Sequence, residues 1–575
     1  MSTKPLVQDE PGTGFTLESL QIGGHPILQP FLRRLGLRRF FEDALGRLDK
    51  RLALSPVDAA LVLVRNFALS REPLYGVPEW AGHFVPEQME MDSRMVNLLN
   101  DDRLGRTLDR FFLADLRTLT TRIVVHMVGE FGLDLSRAHN DSTTITFSGA
   151  YRQTLPRADG RRTLRAAHGH NKDHRPDLKQ LLWTLTVAGD GAVPVHHNVY
   201  DGNVTDDRTH IQTWQTLREI VGSARFLYVA DSKLCTREQM AHIVGAGGHF
   251  LTVLPRTRKE DAHFRSRLAQ QPAAWELIWE RPPLRRKHDS AERFEVASLP
   301  QASSEGYRVV WFRSSEKWKR DERVRQDCID AARFQIQGLA ERAGRRELKT
   351  REQVSAAAKE ILERTGAGPF LREEIKEHSR YVHRQAGPGR HGKNTPYVRD
   401  TTVVYEPVVT PDPDRIREAA ATDGIFPLIT NVGVEVMGPL ELLQTYKYQS
   451  FIEKRHEQLK TAAEVAPVNF KTAERIEAFL FLYFVAVLVH ALIERQARAA
   501  MQARKLGSIP LYPEGRKCSA PTADKILALF EPLRRHRLLR SRELVQTFHD
   551  DLSDIQRLVL DLLDIPELHY GQAPR

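Results

Sequence analysis

Cysteine is nearly absent. Cys235, Cys328 and Cys518 are the three in 575 residues, too few for a disulfide framework or a four-cysteine zinc site. A reducing compartment fits that usage. Residues 1–14 hold no apolar core of the signal-peptide kind; they are polar, carry Asp9 and Glu10, and read as a disordered tail. The longest apolar run, residues 478–493 between Glu477 and Glu494, is shorter than the ~20 residues that span a bilayer. With His490 inside it, it reads as a buried helix, and no membrane partner is expected. No internal repeat is found. Neither glycine cluster is a phosphate loop. Gly245-Ala-Gly-Gly248 precedes a strand pattern, and Gly387-Pro-Gly-Arg-His-Gly392 lacks the Lys-Ser/Thr that would have to follow. His168, His170 and His174 match no common zinc spacing and have no cysteine beside them.

What is present is ordinary for a folded soluble chain: 41% hydrophobic and 27% charged residues. The length implies roughly three or four compact units. Lys and Arg number 84 against 74 Asp and Glu, a net charge of +10. That excess is compatible with a polyanionic partner. Residues 15–137 read as a helical N-terminal domain, with Ser55-Pro56 as a helix start. Arg33, Arg34, Arg38 and Arg39 cluster there, as a solvated face or a DNA contact. Residues 138–256 carry strand patterns at 139–147, 180–188, 193–200, 226–231 and 249–254, with helices at 207–221 and 236–246. Strands alternating with helices point to a mixed α/β sheet. Residues 257–420 read as an inserted subdomain with basic stretches at 285–287 and 390–393. Residues 421–470 return to the core, and 471–575 read as helical.

Asp141 lies in the first of these strands and Asp231 closes the fourth. An aspartate in an apolar strand is costly unless paired or bound to a cation. Each either caps the following turn or serves a hard divalent ion such as Mg²⁺, and residue type leaves both open. Tyr446, Glu453 and Lys460 are spaced seven and seven. On one helix they would share a face ~20 Å long. That face could complete a metal site and hold phosphates, or be an ordinary charged surface.

Together these pieces resemble a DDE transposase of the insertion-sequence-4 superfamily, nearest its insertion-sequence-1634 group. The residues that carry the likeness run in order: His139-Asn-Asp141-Ser-Thr-Thr, Gly169-His-Asn-Lys-Asp-His-Arg-Pro-Asp-Leu-Lys-Gln180, Tyr200-Asp-Gly-Asn-Val-Thr-Asp206, Tyr228-Val-Ala-Asp231-Ser, Asp423-Gly-Ile-Phe-Pro-Leu-Ile-Thr-Asn431, and the Tyr446 to Lys460 segment. The resemblance implies an RNase-H-like core, a mixed five-stranded sheet with flanking helices and a large insertion. It implies Asp141, Asp231 and Glu453 as the catalytic triad, holding two Mg²⁺ or Mn²⁺ ions. It implies Tyr446, Lys447, Gln449 and Lys460 as DNA contacts, with Gln449 standing where the family has an arginine. The partners implied are double-stranded DNA, as terminal inverted repeats and target, and a second copy of the chain on that DNA. A cytoplasmic, nucleoid-associated prokaryotic protein is the corresponding location. Two other readings stand beside it: a silent DNA-binding derivative, and an RNase-H-fold endonuclease that hydrolyses without joining.

Overall fold

The computed structural model describes residues 8–9, 14–46, 52–147, 164–169, 177–204, 209–271, 273–282, 290–298, 301–345, 348–465 and 473–571. His170, His174, the basic stretch 285–287 and most of the expected tail lie outside them. The chain divides into two compact units, residues 1–252 with 444–575, and residues 253–443.

In the first unit a mixed sheet runs in the order Pro194–Asp201, Lys179–Ala188, Arg137–Phe147, Leu227–Val229, His249–Val253. The first three strands are antiparallel neighbours, and the last two run parallel to Arg137–Phe147. Thr143, Thr144 and Ile145 suit a pleated surface, and Lys179–Ala188 is buried along nearly its whole length. Such continuous burial is the mark of a central strand covered on both faces. Helices His210–Val221 and Arg237–Gly245 connect the parallel strands.

The apolar run becomes the middle of helix Ala473–Ala503, long and apolar enough to cross a membrane but 94% buried over its most apolar window. It packs against helices Pro56–Leu69 and Asp101–Leu113, with Phe67 and Phe479 edge to face at 4.8 Å. His490 donates from Nε2 to the Ala68 carbonyl at 2.8 Å, which satisfies a polar group in that interior. Ser55 caps Pro56–Leu69 by accepting from the Asp58 amide.

Just past the apolar run, Glu494 meets Arg455 of helix Ser450–Val465 at 2.8 Å, each side chain 4% exposed. Glu494 also accepts from the Ala523 amide and from Arg498, while Arg455 donates to the Ala192 carbonyl. Buried charges persist only with such full partnering.

Two segments read as helical are strands. Phe15–Gln21 pairs with Arg534–Arg540, which in turn pairs with Glu543–His549, and Gln8–Asp9 joins at the other edge. The pairing joins residues more than five hundred positions apart, so no local pattern announces it.

The second unit has an antiparallel sheet ordered Ile425–Thr430, Arg308–Ser314, Glu292–Ala297, Trp275–Arg281. Phe264, on helix Lys259–Gln270, stacks on Trp311 at 3.8 Å. Helices Ser315–Ala340 and Arg351–Thr365 bury Ile336, Leu339, Val354 and Ala358 against Ile375, Tyr405 and Val409 at the base of a long hairpin. That hairpin pairs Leu371–Gln385 with Tyr397–Pro411 in unbroken register. Arg390, His391 and Lys393 sit in its exposed connection. Asp423 is buried in a two-pronged ion pair with Arg325, at 2.8 and 2.6 Å. Gly424 has φ 75°, and a Cβ there would stand 2.7 Å from the Ser314 carbonyl oxygen, so only glycine fits the turn.

Removing one partner of the Arg455–Glu494 pair strands the other charge in the interior. Glu494→Leu or Arg455→Met should each cost about 3–5 kcal/mol in denaturant unfolding, and the double variant distinctly less than their sum. Additive losses would show that the pair is not a coupled unit.

Candidate active site

In the parallel pairing His139 stands opposite Val229. Two residues further along stand Asp141, still within its strand, and Asp231, just past the end of Leu227–Val229; neighbouring strands are usually about 4.8 Å apart. Asp141 faces Leu185 across the antiparallel pairing, and its Oδ1 accepts from the Ser142 amide at 2.8 Å. Asp231 follows the strand and caps the short turn Ser232–Leu234, with Oδ1 accepting from the Lys233 amide at 3.1 Å. Its own carbonyl accepts from the Thr252 hydroxyl at 2.5 Å. The capping role considered for Asp231 is therefore realised. It occupies one lone pair of a carboxylate that has about four.

The segment carrying Tyr446, Glu453 and Lys460 is not one helix. Helix Pro439–Lys447 ends, Tyr448 and Gln449 turn, and Ser450–Val465 begins. Tyr446 lies in the last turn of one helix and Glu453 in the first turn of the next, so the expected single face does not exist. The break has a tertiary cause. The Tyr448 ring packs 4.8 Å from that of His139, and Gln449 Nε2 reaches the Asn140 carbonyl at 3.5 Å. Arg137 also donates to the Thr445 hydroxyl at 3.1 Å. All three contacts bind the turn to the Asp141 strand.

Tyr446 registers the charge of this region. Its phenol is held well above the usual tyrosine range, first by burial, then by the negative charges of Asp231, Asp141 and Glu453. The hydroxyl therefore stays protonated and can donate a hydrogen bond. Tyr448 is pushed up to about 12, chiefly by burial. His456, three residues after Glu453, places Nε2 3.9 Å from Asp141 Oδ2. His210 places Nε2 3.9 Å from Asp231 Oδ1, while its Nδ1 meets the Tyr228 hydroxyl at 3.0 Å. These two buried histidines escaped the sequence reading. The i, i+3 spacing of Glu453 and His456 is a usable signal for one, whereas nothing local marks His210.

Glu453 is exposed, Lys447 and Gln449 are half-buried, and the Lys460 side chain lies outside the described residues. Among the described residues no three His, Cys, Asp or Glu side chains are gathered closely enough to hold a metal ion. Tyr446 thus feels all three acids, yet they do not form a closed ligand set. The distances decide that question, because a charge acts on a phenol well beyond ligating range. Carboxylate oxygens are the donor type that hard divalent cations take.

The family described as a domain of unknown function, DUF4277, matches residues 17–125. Comparison with curated proteins finds no match. Among solved structures, the chain is similar to the piggyBac transposase synaptic complex with hairpin DNA, at 8% identity over 50% of this chain and 60% of that one, TM-score 0.25. It is also similar to a pre-cleavage Mos1 transpososome and to a Mos1 transposase paired-end complex. Each is 10% identical over 36% of this chain and 60% of the other, TM-score 0.14. The chain thus spans about three-fifths of the length of these neighbours, and TM-scores this low do not establish a shared fold.

Asp231→Asn keeps the turn cap, since asparagine caps as well as aspartate, and removes one of two neighbouring negative charges. Without divalent cations the variant should be as stable as the native chain or more so, by a few tenths to about 1 kcal/mol. Asp231→Ala loses the cap and should cost about 1 kcal/mol instead. Thermal unfolding of the two variants separates charge from cap. A destabilised Asp231→Asn would mean the carboxylate serves structure alone.

Proposed function

We propose that the chain is a DDE-type DNA transposase of the insertion-sequence-4 superfamily, in its insertion-sequence-1634 group, cutting and joining the ends of its own element as a homodimer on DNA. It would act in the cytoplasm of a prokaryote. The observation that carries the reading is that Asp141 and Asp231 each follow by two residues the paired positions His139 and Val229 of adjacent parallel strands, with Glu453 acting on the same phenol, Tyr446. The strand order, three antiparallel strands followed by two parallel ones, supports an RNase-H-like core.

Asp141, Asp231 and Glu453 would hold two Mg²⁺ or Mn²⁺ ions, which when bound lower the pKa of a water or hydroxyl and stabilise the leaving oxygen of an in-line displacement at phosphorus. The protein's own part is positioning. Tyr446, kept protonated, would donate to a phosphate oxygen. Gln449 is turned to the Asn140 carbonyl through a long contact and carries no charge, so it does not reproduce the family's arginine. Lys447 and Lys460 would supply positive charge to the DNA backbone.

The test is incubation of the purified chain with duplexes bearing its element's ends and Mg²⁺, scoring nicked and joined strands. Asp231→Asn should drop cleavage to background while binding persists, because affinity comes mainly from Lys and Arg contacts to phosphate. Lys460→Ala should weaken binding instead. Retained cleavage in Asp231→Asn would refute the triad. The open arrangement of the acids favours one rival, a DNA-binding derivative without catalysis. Binding of the ends with no Mg²⁺-dependent cut by the native chain would decide for it.

A further inference from the structure

Far along the chain from the acids, helices His25–Arg34, Leu37–Leu45 and Pro56–Leu69 line a half-open pocket of about 400 Å³. It lies inside the segment matched by the domain of unknown function. Four arginines line it, Arg33, Arg38, Arg39 and Arg65, against two acids, Glu42 and Glu90. Their partners are unequally shared. Arg33 donates to Glu90 at 2.8 Å, and Arg38 donates to Asp58 at 2.7 Å while reaching Glu90 at 3.5 Å. Arg39 is exposed and lies over the Phe40 ring.

Arg65 is different. It is 1% exposed, and its one hydrogen bond runs from Nη2 to Gln29. Among the described residues its Nε and Nη1 have no hydrogen-bond partner. A buried guanidinium with two idle nitrogens is costly, and such groups ordinarily find an anion or water. Burial pushes its pKa down to about 10; Glu90 opposes this and the charges of Arg38 and Arg33 add to it. Glu90 is held below the usual carboxylate range, burial being outweighed by Arg33, Arg65 and Arg38. Glu90 therefore already acts as the resident anion, and with Asp58 on Arg38 counted, four arginines meet three acids.

We propose that this cavity is a phosphate-binding socket, with Arg65 at its floor and Arg33, Arg38 and Arg39 at its rim. Each idle N–H of a guanidinium can donate singly to an oxygen of a tetrahedral phosphate. The phosphate can come from a nucleic-acid backbone or from free phosphate. The socket does not depend on the acid cluster or on any chemistry there.

The experiment uses the full chain. Binding of a short duplex of arbitrary sequence is measured across a salt titration, and thermal unfolding is measured in inorganic phosphate against chloride at equal ionic strength. The variants are Arg65→Gln, Arg39→Gln and, as a control outside the cavity, Arg34→Gln, whose side chain pairs with Glu130. If the phosphate belongs to a nucleic acid, Arg65→Gln and Arg39→Gln should each flatten the salt slope by about one unit while Arg34→Gln leaves it unchanged. If free phosphate is the ligand, it should raise the native midpoint by about 2 °C or more, and Arg65→Gln should abolish the rise. Should Arg65→Gln fail to fold by circular dichroism, Arg39→Gln carries both arms. No phosphate effect together with equal slopes in Arg39→Gln and Arg34→Gln would overturn the socket and leave only a basic surface.

Discussion

A single buried ion pair, Arg455 with Glu494, holds helix Ser450–Val465 to the first unit's core. Glu494 stands at the end of the most apolar stretch in the chain, and Arg455 stands two residues beyond Glu453. Neither charge could stay in that interior alone. Their remaining hydrogen bonds reach the Ala192 carbonyl, in the turn before strand Pro194–Asp201, and the Ala523 amide at the start of helix Ala523–Phe530. Sheet, central helix and C-terminal segment are thus joined at one point. The orientation of Ser450–Val465, and with it the direction Glu453 can take, follows from that junction.

The same constraint explains the turn at Tyr448 and Gln449. A helix running unbroken from 439 to 465 could not satisfy two anchors set by different parts of the core. Thr445 and Gln449 are tied to the Arg137–Phe147 strand. Arg455 is tied to the central helix. The chain meets both by breaking for two residues, with Tyr448 filling the gap against His139. No proline or glycine marks the spot, so the break belongs to tertiary packing and not to local propensity.

That is where sequence reading runs out. The five strands of the first unit's mixed sheet were legible, because β-branched and apolar runs bounded by turns are local signals. So was the Ser55-Pro56 helix start, a cap chemistry contained within a few residues. Strand Arg534–Arg540 was not, since Arg534, Arg535, His536 and Arg537 are polar on both faces and the strand exists only through its pairing with Phe15–Gln21. Asp423 in a family-like motif proved to be one half of a buried pair with Arg325, a long-range fact. Of the site, pattern alone put Asp141 in one strand and Asp231 at the end of another; that those strands are neighbours came from the structure. The histidines facing them, His210 and His456, could not, because burial and facing depend on how distant elements pack.

Capping and charge at Asp231 are compatible roles, because a cap uses one lone pair and a strand end beside another acid raises the local negative potential. Two neighbouring carboxylates repel, and a third brought close adds to the cost. The broken helix offsets part of it. In an unbroken helix Glu453 would lie mid-helix, far from either terminus. In the observed arrangement it lies in the first turn of Ser450–Val465, at the positive end of the helix dipole, where a negative side chain is favoured by about 0.3–1 kcal/mol. The break that packing imposes thus also lowers the cost of the negative charge on Glu453. Among the described residues the three acids are not gathered into one ligand set.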